Sequence, residues 1–189
     1  MEAFLISLST VAIAEMGDRT QLLALVLAAQ YRRPWPIVAG VLCATLANHA
    51  LAGFIGNHFG RSLTPGRLDL VVGLSMIGMA LWTLKPDKLD DEGGQKRRAS
   101  AFVATCIAFF IAEIGDKTQI ATVALGAAYP NLAAVVSGTT LGMLAANVPV
   151  IFLGNAFSSR LPLKAIHIAA SLLFLGLGIL FVWRAFHHP

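Results

Sequence analysis

Two seven-residue stretches, 98 residues apart, carry the same charges in the same order. Glu15-Met16-Gly17-Asp18-Arg19-Thr20-Gln21 and Glu113-Ile114-Gly115-Asp116-Lys117-Thr118-Gln119 agree at five of seven positions, and the other two exchange Met for Ile and Arg for Lys. Each stretch interrupts a long apolar run. Phe4 to Ala14 precedes the first and Leu22 to Ala29 follows it; Ala101 to Ala112 and Ile120 to Ala128 flank the second. A centred Asp, Lys or Arg costs about 2.5–3.5 kcal/mol on insertion into a bilayer. A chain that does this twice has to turn the charges inward, toward one another and away from lipid.

The surrounding sequence is of membrane type. Hydrophobic residues make up 57% of the 189 and charged residues 13%, with mean hydropathy +0.73, whereas a soluble domain carries about 25% charged residues. The net charge of +4 reads as topology signals at helix ends, not as a nucleic-acid surface. Cys43 and Cys106 both lie in apolar runs and read as small buried residues, not as a disulfide or metal pair. Met1 to Ala14 ends in Ala12-Ile13-Ala14, which looks like a signal-peptidase site. The positive leading region is missing, and cleavage there would make Glu15 the first residue although its counterpart Glu113 is in mid-chain, so the segment is expected to stay.

Six segments meet the length of roughly 20 apolar residues needed to span a bilayer: about 3–29, 34–57, 66–84, 101–127, 131–156 and 163–186. Polar breaks with Pro separate most of them, as expected where a helix starts. All three Trp and both Tyr (Tyr31, Trp35, Trp82, Tyr129, Trp183) fall at span ends, the interfacial belt of amphipathic rings. Lys and Arg set the orientation. Loops on one side carry Arg32, Arg33, Lys85, Lys88, Lys96, Arg97, Arg98, Arg160 and Lys164, and the other side carries Arg61, Arg67 and Arg184. Nine against three puts the linker in the cytoplasm and both termini outside.

The repeat extends past the heptapeptides. At the same offset Gly40 meets Gly138, Gly56-Asn57 meets Gly154-Asn155, Gly78 meets Gly176, and His49 meets Asn147, one residue from Asn48. Three spans per half is an odd number, so the second half enters the membrane from the opposite side. The expected fold is an all-α integral membrane protein of six transmembrane helices in two inverted three-helix repeats, residues 1–84 and 101–189, joined by a charged cytoplasmic linker, 85–100. Sites in such architectures lie near the bilayer midplane.

On a continuous helix Glu15 and Asp18 lie about 60° apart in angle and about 4.5 Å in rise, facing one side. Glu113 and Asp116 repeat this, and inversion lets four carboxylates converge. With Arg19 and Lys117 the ionised cluster sums to −2, the charge one divalent cation balances. Carboxylates together with Gln21, Gln119, Thr20, Thr118 and, further off, Asn48 and Asn147 are hard oxygen donors, suited to Ca²⁺, Mn²⁺ or Mg²⁺. The heptapeptides hold no Cys or His, against Zn²⁺ or Cu⁺. His49 reads as a polar helix–helix contact that leaves a softer ligand open, and His187-His188 as an exposed tail. Gly17 and Gly115 admit two readings, close helix packing or a helix break whose freed carbonyls face an ion. Gly73, Gly78, Gly138, Gly142, Gly176 and Gly178 read as packing surfaces. Arg19 and Lys117 are either fixed counter-charges or partners of a nearby acid that make insertion tolerable. Four such carboxylates cannot all stay ionised in an empty site, so protons replace the metal when it leaves. That makes a divalent-cation/proton antiporter.

The doubled Glu-x-Gly-Asp-(Lys/Arg)-Thr, one in each half around a charged linker, resembles the UPF0016 family, also called the Gdt1/TMEM165 family. The resemblance covers essentially the whole chain and rests on the pair of motifs. It implies cation/proton exchange with Mn²⁺ and Ca²⁺ as transported ions, no cofactor and no enzymatic activity. It carries function to Glu15, Gly17, Asp18, Arg19, Thr20, Glu113, Gly115, Asp116, Lys117 and Thr118. The short linker looks bacterial, which implies an inner-membrane Mn²⁺ exporter and leaves homo-oligomerisation open. The rival readings are an exporter of small organic cations or amino acids, a passive divalent channel, and an intramembrane aspartyl protease built on Asp18 and Asp116.

Overall fold

The apolar runs form helices, and both charged stretches break them. The computed structural model describes residues 1–60, 62–83, 100–153 and 163–187. Eight helices stand among these and no strand: α1 (Glu2–Glu15), α2 (Arg19–Tyr31), α3 (Pro34–Gly60), α4 (Pro65–Thr83), α5 (Ala101–Glu113), α6 (Lys117–Ala128), α7 (Leu132–Leu153) and α8 (Leu163–His187). α3 and α7 are each long and apolar enough to cross a membrane unaided. Arg61, the linker residues Lys85, Lys88, Lys96, Arg97 and Arg98, the Gly154-Asn155 pair, Arg160 and His188 lie outside the described residues.

Segments 3–29 and 101–127, expected as single spans, are each two helices. Gly17 has φ 80° and Gly115 φ 74°, a left-handed conformation that costs an L-residue about 1–2 kcal/mol and glycine almost nothing. Met16 and Ile114 before them are extended. Asp18 and Asp116 then restart the chain as N-caps of α2 and α6. Each break is held by the glutamine two residues into the next helix: Gly17 N–H donates to Gln21 Oε1 at 2.8 Å and Gly115 N–H to Gln119 Oε1 at 2.7 Å. The helices therefore break at both glycines, and the Glu15 and Glu113 carbonyls there accept from Asp18 and Asp116 N–H. Glu15 and Asp18 do not share one helical face, because the turn between them is not helical.

Packing crosses between the halves. α1 lies along α7 and α3 along α5, while α3 also packs on α6 and α7, and α4 pairs with α8. Glycines permit the close approach. A Cβ at Gly40 would stand 2.7 Å from Thr105 Cβ, and one at Gly138 would stand 2.9 Å from Ser7 Cβ; both pairs are related by the 98-residue offset. Gly73 and Gly178 face each other across α4 and α8. Gly142 packs on α1, but among the described residues a Cβ at Gly78 or Gly176 would meet nothing within 4 Å. These two, expected as packing surfaces, face open space there.

Polarity runs opposite to that of a water-soluble domain. Glu15, Asp18, Thr20, Thr45, Asn48, His49, Glu113, Lys117, Thr118 and Asn147 are almost fully buried, while Leu42, Leu46, Phe54, Leu141, Phe152 and many other large apolar side chains are exposed. Such a surface suits lipid. Trp35 and Trp183 are exposed, with Tyr31 and Tyr129 half-buried at the ends of α2 and α6.

Two apolar clusters flank the polar layer. One joins Ala14 of α1 to Val72, Met76, Met79 and Ala80 of α4, Ala121, Ala124 and Leu125 of α6, Val135 of α7, and Phe174 and Phe181 of α8. The other joins Ala24 and Leu27 of α2 to Ile37, Val41 and Ala44 of α3, Ala101 and Phe109 of α5, and Ile151 of α7. The α4–α8 pair belongs to the first alone. It packs on α1 and α6 and makes at most marginal contact with α2 and α5.

Candidate metal centre

Four helix ends meet where the two breaks come together. Glu15 and Glu113 close α1 and α5, where unpaired carbonyls leave partial negative charge. Asp18 and Asp116 cap α2 and α6, where free N–H groups leave partial positive charge. Asp18 Oδ1 accepts from Arg19 N–H at 2.7 Å, and Asp116 Oδ2 accepts from the Thr118 hydroxyl at 3.2 Å.

Each aspartate is paired with the cation of the other copy. Lys117 Nζ stands 3.0 Å from Asp18 Oδ1, both side chains almost fully buried. Arg19 Nη2 stands 3.1 Å from Asp116 Oδ1 and donates to Ala112 O at 2.7 Å; its side chain is 35% exposed. Both cations are thus paired with an acid of the other copy. The glutamates are held by hydroxyls instead. Thr20 donates to Glu15 Oε2, and Thr45 of α3 donates to Glu113 Oε1 at 2.7 Å.

Glu15, Asp18 and Asp116 each offer an oxygen, all within 4.8 Å of one another and all buried. This is the one cluster of three or more potential His, Cys, Asp or Glu ligands among the described residues. Glu113 is not one of these three but lies near enough to Glu15 and Asp116 to feel their charge; it sits beside Thr45 and His49, with Oε2 3.9 Å from His49 Nε2. Three of the four expected carboxylates therefore converge. Gln21 and Gln119 spend their amide oxygens on the glycine N–H groups, and Gln21 Nε2 also ties α2 to Ala146 O of α7 at 2.8 Å. Asn48 donates to Phe110 O at 3.1 Å and Asn147 to Met143 O at 3.0 Å; the side-chain oxygens of both have no hydrogen-bond partner. Glu15 Oε1 and Glu113 Oε2 also lack one. Buried acceptors with no donor are costly, and a cation is the group that satisfies several at once. Thr45 was not singled out in the sequence. Its one signal is its place on α3, one turn before His49.

Comparison with known proteins agrees with this chemistry. The profile described as Divalent cation/proton antiporter GDT1 matches residues 3–91 and again residues 101–189. A Vibrio cholerae protein named "Putative manganese exporter" is 52% identical over 176 residues, 93% of this chain and 88% of its own length. A GDT1-like protein of Synechocystis is 29% identical, covering 97% of this chain and 98% of its own. The Saccharomyces cerevisiae divalent cation/proton antiporter GDT1 is 22% identical over 98% of this chain and 85% of its own. No solved structure matches.

Proposed function

Because the chain belongs to the GDT1 family of divalent cation/proton antiporters, we propose that it exports Mn²⁺ from a bacterial cytoplasm in exchange for protons, with Ca²⁺ as a second substrate. The observation that carries this is the buried convergence of Glu15, Asp18 and Asp116 oxygens within 4.8 Å at the two helix breaks. The cations on Asp18 and Asp116 leave the charge of Glu15 and Glu113 to be balanced. One divalent ion or two protons does so, which makes metal and protons alternatives at one site. Gln21, Gln119, Thr20 and Thr118 shape the centre by holding the breaks and the carboxylates, and Asn48 and Asn147 offer further oxygens.

The same reading places two inverted three-helix halves, 1–84 and 101–189, in the inner membrane around a cytoplasmic linker. In support, the family profile recurs at the 98-residue offset of the heptapeptides, and Gly40 on Thr105 has its counterpart in Gly138 on Ser7. The nine-to-three bias of basic residues supports the orientation.

Proteoliposomes holding an interior pH dye test the function. Under an imposed pH gradient Mn²⁺ entry is expected to move protons the other way, with Ca²⁺ and Mg²⁺ assayed separately. Glu113→Gln is expected to abolish both metal flux and metal-linked proton movement. Mn²⁺ flux without a proton response would indicate a passive channel, and full exchange in Glu113→Gln would refute the mechanism.

A further inference from the structure

His49 lies on α3, completely buried, and neither ring nitrogen has a hydrogen-bond partner. A histidine that merely packs two helices has reason to bond at least one nitrogen, since an unsatisfied buried polar group costs about 1–3 kcal/mol. Its Nε2 faces Glu113 Oε2 at 3.9 Å, an oxygen that has no donor in good hydrogen-bond geometry and lies beside the Asn48 side chain. Asn48, the preceding residue, leaves its Oδ1 unpartnered as well. Three lone-pair atoms from adjacent buried side chains are thus unsatisfied, beside the carboxylate cluster.

The separation suits a shared cation better than a hydrogen bond. At 3.9 Å nitrogen and oxygen are beyond hydrogen-bonding distance. Two ligands bound to one ion at about 2.0–2.5 Å, subtending 90–120°, stand about 3–4 Å apart. We infer that His49 is a direct nitrogen ligand of the transported ion at Glu113, and that it sets the preference for Mn²⁺ over Ca²⁺. The inference rests on the reading of the chain as a Mn²⁺ carrier. Ca²⁺ and Mg²⁺ sites are built of oxygen; Mn²⁺ also takes oxygen, but as a first-row transition ion it accepts a nitrogen ligand with less penalty than Ca²⁺ does. The offset puts Asn147 opposite His49, so the second copy supplies an amide oxygen where the first supplies a nitrogen. The two halves are therefore unequal as ligands.

Pulsed electron paramagnetic resonance on the purified full-length protein with Mn²⁺ tests this. The expected result is ¹⁴N modulation from a directly bound imidazole, altered when the protein is grown with ¹⁵N-histidine. The modulation is expected to vanish in His49→Asn, with His58, His167, His187 and His188 left in place. The same variant is expected to lose on the order of tenfold in preference for Mn²⁺ over Ca²⁺ in competition binding. Bound Mn²⁺ with no nitrogen modulation in the unsubstituted protein overturns the role of His49 and leaves the carboxylate site standing. Modulation that survives in His49→Asn also overturns it. Protein that binds no Mn²⁺ overturns both readings. The isotope experiment needs no substitution, so it decides even where His49→Asn fails to fold.

Discussion

Lys117 and Asp18 sit across the two halves in almost complete burial, and that burial fixes what their loss does. Removing one partner of a buried ion pair costs about 3–5 kcal/mol, while replacing both by neutral groups of similar shape costs far less. Lys117→Gln alone is therefore expected to lower the stability of the detergent-purified protein by about that much, with Asp18→Asn/Lys117→Gln recovering a large part. Chemical unfolding in detergent reads both. Arg19→Gln is expected to lose less, because the Arg19 side chain is 35% exposed and water screens its pair. The carboxylates, the cations and their convergence were legible in the sequence because charge in an apolar run needs a partner and the duplicated motif names one. The cross-pairing was not, since a spacing of 98 residues says nothing of which cation meets which acid. Nor was the place of Glu113 at the margin of the tightest three. It depends on how α3 seats Thr45 and His49 against α5, a register set by Gly40 on Thr105.

At the scale of the helix, the two breaks depend on backbone shape more than on space. A Cβ at Gly115 would meet nothing within 4 Å, so Gly115→Ala tests conformation alone and is expected to cost about 1–2 kcal/mol from its left-handed φ. The glycines of α4 separate the opposite way. Gly73→Ala drives a methyl into Gly178 and Val182, an overpacking expected to cost about 1–3 kcal/mol. Gly78→Ala meets open space in a regular helix and is expected to be neutral or to stabilise by up to about 1 kcal/mol. Unfolding midpoints of the three variants decide. In the sequence Gly73 and Gly78 look alike, small residues in an apolar run, and Gly115 is set apart only by the acids beside it. What separates them is the neighbour across the interface, or for Gly17 and Gly115 the aspartate that starts a new helix one residue later.

For the whole molecule, the charge count makes a prediction about energetics. If the ion replaces two protons at Glu15 and Glu113, one cycle moves no net charge. Mn²⁺/proton exchange in proteoliposomes is then expected to be indifferent to a potassium diffusion potential and to respond to the pH gradient alone. The all-helical character and the recurrence of one half in the other were legible from hydropathy and the offset. The unequal packing of the halves was not, because two equivalent halves predict equal surroundings. Leu23 and Ala121 are related by the offset, yet Leu23 is half-buried and Ala121 fully buried. In a background lacking Cys43 and Cys106, Leu23→Cys is expected to react with a water-soluble thiol reagent faster than Ala121→Cys. The reason is the α4–α8 pair, which packs on α1 and α6 and belongs to one apolar cluster alone. Ala121 lies inside that cluster, whereas Leu23 packs at the margin of the other. One helix pair thus roofs only one of two like sites, and a chain written twice presents two different fronts.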